Sequence, residues 1–359
     1  MAWTRRLVVQ ESLFTAAAFT SACYAYYVVA VWGLQDYLVE GPLRSYLTSP
    51  AVHLELLVIG LLFGALIAVI NRWTDTSRMR RWPVLPLVAW RTVLHLVALV
   101  FSTAVLVPLV LTFVMPWESL AQLFRAMTPR ATVSFALFVA GSVLAINLAL
   151  EVARMIGPGH LWRLMSGRYL RPRDEERVFL FMDLEGSTAI AETLGHRRYS
   201  ALMQECFRDL TEVVVRYGAS VYQYVGDEVV LSWPADDGKP SGHRSVQAFF
   251  AYRDALRRKG EEYVTRFGSV PDFRGGIDAG AVTVSEVGDV KREIVYHGDV
   301  LNTAARLLEL GKARGERLVA SRPVGEEAVA QGAAAARWQE EVTLRGKREP
   351  VEAFGLDAS

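Results

Sequence analysis

Val178-Phe179-Leu180-Phe181-Met182-Asp183 is an unbroken apolar run that ends in an acid. Such a run reads as a buried strand. Leu184-Glu185-Gly186-Ser187-Thr188 follows, and a helix is predicted from about Ala189. A Gly-Ser-Thr turn at a helix start leaves backbone N–H groups open to an anion. Leu202, Cys206, Leu210, Val213 and Val214 recur at helical spacing and carry the helix from Tyr199 to Tyr217. Ser220–Tyr224 and Glu228–Trp233 then read as two strands joined by a tight turn at Gly226-Asp227. A second helix is predicted over His243–Phe267, a strand pair with glycine bends over Phe273–Val284, and a helix over Asn302–Leu310. The order strand, helix, strand, strand, helix, strand predicts an α+β ferredoxin-like core of about 180 residues.

The rest of the chain is of another kind. Of 359 residues 52% are hydrophobic, and mean hydropathy is +0.21. Charged residues are sparse up to Glu151 and dense beyond it. A bilayer-spanning helix needs about 20 mainly apolar residues. Ser12–Gln35, Leu56–Asn71, Thr92–Trp117 and Ala131–Leu150 are each free of charge. Four transmembrane helices are therefore predicted, an all-α four-helix domain over residues 1–155. A linker over 156–177 and a soluble domain over 178–359 follow. Arginines crowd the N-terminus, the loop at Arg72–Arg81 and the segment after Glu151. By the positive-inside rule both termini are cytoplasmic, which makes the chain a multi-pass protein of the cell inner membrane with its soluble domain in the cytoplasm.

His53, Glu55, Arg91, His95, Asn147 and Glu151 lie in or beside these helices. Ionisable groups at that depth are costly. The favoured expectation is that they sit at the interface or pair within the bundle. A ligand or haem site using His53 and His95 has no motif behind it. Tyr24, Tyr26 and Tyr27 read as helix packing. Gly157-Pro158-Gly159 ends the fourth helix, and His160–Arg173 reads as a short amphipathic piece on the membrane surface. The net charge of +1 gives no support for nucleic-acid binding. Cys23 and Cys206 lie in different halves and make no disulfide framework.

Asp183 ends a strand and Asp227 tips a hairpin. In the predicted core these elements are neighbours. Two carboxylates beside an open helix N-terminus suit Mg²⁺ ions carrying a polyphosphate. The alternative for each acid alone is a structural role in its turn.

The run Val178–Thr188 resembles the opening strand of the class III nucleotidyl cyclases. Tyr222-Gln223-Tyr224-Val225-Gly226-Asp227-Glu228 is similar to the family's hairpin, at a similar separation, 227 − 183 = 44 residues. His297-Gly298-Asp299-Val300-Leu301-Asn302-Thr303-Ala304-Ala305-Arg306 resembles its asparagine–arginine helix. Leu344-Arg345-Gly346-Lys347 with Pro350-Val351 resembles its closing strand, and Gly167-Arg168-Tyr169 its membrane-tethered bacterial members. The likeness covers about residues 168 to 356.

The resemblance implies a class III cyclase catalytic domain, one per chain, making a cyclic nucleotide and pyrophosphate from ATP, with GTP as the alternative. Asp183, Asp227 and the Leu184 backbone would hold two Mg²⁺ or Mn²⁺ ions per active site. The backbone of Gly186, Ser187 and Thr188 would cradle the triphosphate. Asn302 would orient the ribose and Arg306 would stabilise the transition state. Arg345 stands where the family often has a phosphate-binding lysine. The site would form between two chains of a homodimer, metal ligands from one and Asn302, Arg306 and Arg345 from the other. The sequence departs from the pattern at the base. Gln223 stands at the adenine-selecting lysine and Val295 at its acidic or threonine partner. Gln223 can donate and accept, Val295 can do neither through its side chain, and the guanine-selecting Glu/Cys pair is absent.

Three other readings remain open at this stage. One is a guanylate or dual-specificity cyclase. One is a membrane receptor whose cyclase domain binds nucleotide without turnover. A transporter is disfavoured, because the spans show no internal repeat. A ligand of the membrane domain, of unspecified chemistry, is compatible with any of them.

Overall fold

The structure, a computed structural model, describes residues 2–30, 50–74, 79, 82–101, 129–156, 166–235, 241–345 and 349–358. The chain divides into two compact units, one of residues 5–156 and one that contains residues 157–359.

The described residues of the first unit form helices α1 (Ala2–Ala30), α2 (Pro50–Thr74), α3 (Val84–Phe101) and α4 (Pro129–Ile156). Among the described residues, three stretches are long and apolar enough to cross a membrane: Ser12–Val29, Val52–Thr74 and Ala136–Ala153. Val84–Ala98 is apolar but shorter. Most of the expected third span, 92–117, lies outside the described residues, as do 157–165 of the expected linker. Phe19, Cys23, Phe63, Ile67, Val139 and Val143 make the core of this bundle. A Cβ on Gly64 would lie 2.2 Å from the Ala16 Cα, and one on Gly60 2.8 Å from the Thr20 Cα. The two glycines therefore let the α1 and α2 backbones touch, which favours packing in lipid, where small residues set how close helices come. The Gly60-x-x-x-Gly64 spacing carries this signal in the sequence.

Four buried polar residues of this unit bond in two pairs. Arg91 donates to Glu151 at 2.6 Å and to Thr74 Oγ1 at 3.1 Å. Asn147 and His95 Nδ1 are 3.0 Å apart, and all four of Arg91, His95, Asn147 and Glu151 are buried. His53 is exposed and meets the Tyr24 hydroxyl at 3.0 Å. His95 lies beside the Ile67 backbone. His53 and Ile67 are separated by 67 − 53 = 14 residues of one helix, about 21 Å at 1.5 Å per residue. The two histidines thus occupy different levels of the bundle. The side chain of Glu55 is outside the description.

The second unit is built on a sheet. Its elements are β1 (Arg173–Leu184), α5 (Ser187–Tyr217), β2 (Ser220–Val225), β3 (Glu228–Pro234), α6 (Gly242–Arg258), α7 (Gly260–Phe267), β4 (Phe273–Val287), β5 (Glu293–His297), α8 (Asp299–Arg314), β6 (Leu318–Ser321), α9 (Arg322–Ala330), β7 (Ala334–Val342) and β8 (Val351–Ala358). The strand order is β2-β3-β1-β4-β6-β8-β7, with β5 paired to β4. Each neighbouring pair among the first four strands in this order is antiparallel, as a ferredoxin-like core requires. Val178, Leu180, Met182 and Leu184 of β1 face a core with α5 and α6, while Phe179 and Phe181 face a second core with β5 and α8. Burial on both faces is why the strand shows no alternation of polar and apolar residues.

Three expectations change. Residues 273–284 are not a strand pair: β4 runs unbroken from Phe273 to Val287. Its glycines serve close packing rather than bending. A Cβ on Gly276 would lie 2.2 Å from the Ala304 carbonyl oxygen and 2.3 Å from the Leu308 nitrogen, so α8 rests directly on the β4 backbone. The helix expected over His243–Phe267 is divided at Lys259 into α6 and α7. Finally, β1 begins at Arg173, where it pairs with Val284, so Arg173–Arg177 of the expected linker belong to the sheet.

Candidate active site

Asp183 lies at the end of β1, in register with Glu228 on β3 and Arg274 on β4. Asp227 lies in the two-residue turn between β2 and β3, closed by the Val225–Glu228 pair. Gly226 takes φ 64° there, a left-handed conformation that glycine adopts without strain. Asp183, Asp227 and Glu228 thus share one corner of the sheet. Burial raises the Asp183 carboxyl above its usual range, with Asp227 adding to the shift and Lys312 opposing it. Burial, then Asp183, raises Glu228. Like charges crowded at a half-buried corner disfavour ionisation and favour a cation. The corner has one in the Lys312 ammonium, from the last turn of α8, which pairs with Asp183 Oδ2.

Beyond Asp183 the chain turns through Glu185-Gly186, with Gly186 at φ 70° capping α5. The first helical hydrogen bond runs from Ile190 N–H to Gly186 O at 3.1 Å. The N–H groups of Ser187 and Thr188 precede it and have no partner within the helix. They border a groove of about 500 Å³ lined by Ser187, Thr188, Glu192, Gly195, His196, Tyr199 and Asp227. Burial, then Asp227, raises the Tyr199 phenol. Leu184 is buried against Phe273, so it adjoins Asp183 through its backbone. The turn is clamped from behind. Glu185 accepts from Arg274 at 2.5 Å and pairs with Arg317. Arg317 also reaches Asp272 at 3.2 Å, and Asp272 is gripped by Arg253 at 2.6 and 2.7 Å. Nothing local in the sequence marks this clamp: its partners lie 89 and 132 residues from Glu185.

The other expected site residues are elsewhere. Asn302 is exposed and Arg306 half-buried in the first half of α8. Lys312 marks the end of α8 that meets Asp183. Arg306 and Asn302 precede it by 312 − 306 = 6 and 312 − 302 = 10 residues, about 9 and 15 Å along the axis. Arg345 is exposed in the connection before β8. The registers place that connection. Leu184 pairs with Phe273 at the start of β4, β6 starts parallel beside Gly275, and the Leu318–Leu356 pair puts the end of β8 there too. The start of β8, and Arg345 before it, therefore lies at the opposite end of the sheet from Asp183. Gly346 and Lys347 are outside the described residues. Gln223 is exposed on β2 and Val295 half-buried on β5. Their neighbours Tyr222 and Tyr296 meet edge to face at 5.0 Å, and Phe179 meets Tyr296 at 5.3 Å.

One chain therefore brings Asp183, Asp227 and the Gly186–Thr188 turn together, and sets Asn302, Arg306 and Arg345 apart from them. The donor set suits a hard cation. Among the described residues no three His, Cys, Asp or Glu side chains converge as a ready-made cage. Mg²⁺ is characteristically held by one or two carboxylates together with substrate phosphates, which is what this corner and its adjoining N–H groups offer.

The chain is 34% identical over 183 residues to adenylate cyclase 2 of Rhizobium meliloti (strain 1021), covering 51% of this chain and 49% of that protein. This similarity agrees with the resemblance to class III nucleotidyl cyclases seen in the sequence. Adenylate cyclase 1 of the same organism is 28% identical to the cyclase-like region over 152 residues, 41% of this chain and 22% of that protein. The chain spans about half the length of the first of these curated relatives and less of the second. No protein-family model matches it. Among solved structures, the adenylyl cyclase CyaB from P. aeruginosa aligns with this chain at 20% identity and a TM-score of 0.46, covering 53% of this chain and 97% of that one. The guanylyl cyclase Cya2 aligns at 19% identity and a TM-score of 0.47, over 53% and 94%.

Proposed function

We propose that the chain is a membrane-bound adenylate cyclase, converting ATP into 3′,5′-cyclic AMP and pyrophosphate in a homodimer of the inner membrane with its catalytic domains in the cytoplasm. The observation that carries this reading is the separation of the expected site residues within one chain: Arg345 lies at the opposite end of the sheet from Asp183, and Arg306 and Asn302 lie about 9 and 15 Å along α8 from the Lys312 end. A second copy set head to tail would bring Asn302, Arg306 and Arg345 of one chain to the Asp183 and Asp227 corner of the other, twice over.

In the reaction the ribose 3′-oxygen attacks the α-phosphorus, the bond from that phosphorus to the oxygen bridging to the β-phosphate breaks, and the 3′-hydroxyl proton passes to solvent. Asp183, Asp227 and the Leu184 backbone would hold two Mg²⁺ or Mn²⁺ ions, which when bound supply positive charge to the attacking oxygen and the triphosphate. The free N–H groups of Ser187 and Thr188 bind phosphate oxygens at the start of α5. Arg306 meets the charge that grows on the α-phosphoryl group, Asn302 holds the ribose, and Arg345 holds the terminal phosphates. Gln223 and Val295 flank the purine. The exposed Gln223 amide can serve either purine edge, which keeps guanylate cyclase as the second reading.

The test is turnover of ATP and GTP by purified full-length protein with Mg²⁺ and with Mn²⁺. Cyclic AMP is the expected product, and failure to turn over either nucleotide would leave a non-catalytic nucleotide receptor. Mixing inactive Asp183→Ala with inactive Arg306→Ala should restore part of the activity, since a mixed dimer keeps one site intact. No recovery in demonstrated mixed dimers would refute the shared site.

A further inference from the structure

We propose that Lys312 is the resident counter-ion of the carboxylate corner, holding Asp183 while no ion is bound and yielding its place when metal arrives. The proposal rests on the reading of Asp183 and Asp227 as metal ligands, and adds a residue that the asparagine–arginine motif does not contain.

Three observations support it. The ammonium pairs with Asp183 Oδ2 itself, not with a neighbour outside the corner. Asp183 stands in register with Glu228, and Asp227 precedes Glu228 in the turn, so the ammonium meets a corner where three acids share one end of the sheet. The pair is also unequal in exposure: the Asp183 side chain is 14% exposed and that of Lys312 46%. The carboxylate is fixed in the sheet, while the ammonium rides on a flexible four-carbon stem with open solvent beside it. Such a cation can leave without disturbing any packed group. Its position on α8 has a further effect. The same helix carries Asn302 and Arg306, so one element presents a charge to the metal corner of its own chain and transition-state groups to the partner's site.

A divalent ion arriving at Asp183 must displace a charge already there. The corner should therefore bind metal weakly without nucleotide, and the triphosphate, by adding ligands of its own, should make the exchange favourable. A half-exposed ion pair of this kind alters an equilibrium by about fivefold.

The experiment is Mn²⁺ binding to the detergent-solubilised full-length protein without nucleotide, followed by the electron paramagnetic resonance of free Mn²⁺. Lys312→Gln should bind Mn²⁺ about fivefold more tightly than wild type. Lys312→Arg, which keeps the charge, should stay near wild type. Asp183→Asn should weaken binding, and adding Lys312→Gln to it should then make no further difference. Melting temperature gives a second reading of the same exchange. Lys312→Gln should melt lower than wild type in chelator and recover with Mn²⁺. If Asp183→Asn weakens binding but Lys312→Gln leaves it unchanged, Lys312 is a surface ion pair only and the proposal fails with the metal site intact. Weaker binding in Lys312→Gln would also overturn it. If Asp183→Asn has no effect on Mn²⁺, with or without Lys312→Gln, the metal assignment itself fails.

Discussion

The bundle and the sheet unit each hold a cation against an acid, and they do so differently. In the bundle, Arg91 and Glu151 are 4% and 11% exposed, and Arg91 is held again by Thr74. In the sheet unit Asp183 is 14% exposed but its partner Lys312 is 46% exposed. A sealed pair has no substitute for either partner, because water cannot reach the charge left behind. An open pair can exchange its cation. The contrast extends to the neutral groups. His95 Nδ1 and Asn147 bond to each other inside the bundle, whereas Gln223 and Asn302 face solvent. The polar side chains described in the bundle are largely spent on holding helices together. Those at the carboxylate corner are half-open to solvent or held by an exchangeable partner.

The largest expected effect tests the open side of this comparison. Asp183→Ala and Asp227→Ala should each lower cyclic AMP formation by at least about a thousandfold, with the melting temperature of the protein in chelator held or raised. Wild-type turnover in either folded variant would show that the corner is structural after all. The sealed side comes next. Arg91→Met or Glu151→Gln alone should destabilise the bundle by about 3–5 kcal/mol, while Arg91→Met with Glu151→Met should regain most of the loss. Denaturation in detergent measures this, and equal stability of single and double variants would contradict a sealed pair. A smaller effect is expected at the base. Gln223→Ala should reduce the ATP-to-GTP ratio of kcat/KM about tenfold, and Gln223→Lys with Val295→Asp should raise it. A ratio that stays flat across all three proteins would remove Gln223 from base reading.

The smallest effect is on stability and pH. Burial raises the Glu228 carboxyl above its ordinary value of 4.5. The folded state then holds a proton that the unfolded state has released, so stability falls as pH rises from about that ordinary value through the folded one. Glu228→Gln removes the titrating group. In chelator it should stabilise the protein at neutral pH by no more than about 1 kcal/mol, and the gain should vanish in acid. A gain that persists unchanged in acid would show that ionisation is not its source.

These comparisons also show where sequence reasoning stops. The unbroken apolar run of β1 was legible because burial on both faces removes polar residues from consecutive positions. The Gly226-Asp227 hairpin was legible because a two-residue turn demands a residue tolerant of positive φ. The glycines of β4 misled, since the pattern of a bend and that of a close helix approach use the same residue; what distinguishes them is α8, which comes later in the chain. The Glu185 clamp and the Lys312 pair were hidden for a related reason. Both join residues more than 80 positions apart, and a lone arginine or lysine carries no mark of its partner. The Gly60-x-x-x-Gly64 spacing was present and local, but is informative only once α1 is known to lie against it.

The opposite-end placement of Asp183 and Arg345 has one more consequence. Under the proposed pairing a solitary chain has no complete site and a pair has two. Turnover would then depend on how often chains meet within the plane of the bilayer. At low surface density the output per unit area should grow as the square of the number of chains, and become linear once pairing saturates. Confinement to two dimensions raises the meeting frequency far above that of the same domain free in the cytoplasm. The anchoring helices would thus set enzymatic output through crowding alone, before any signal acts on them.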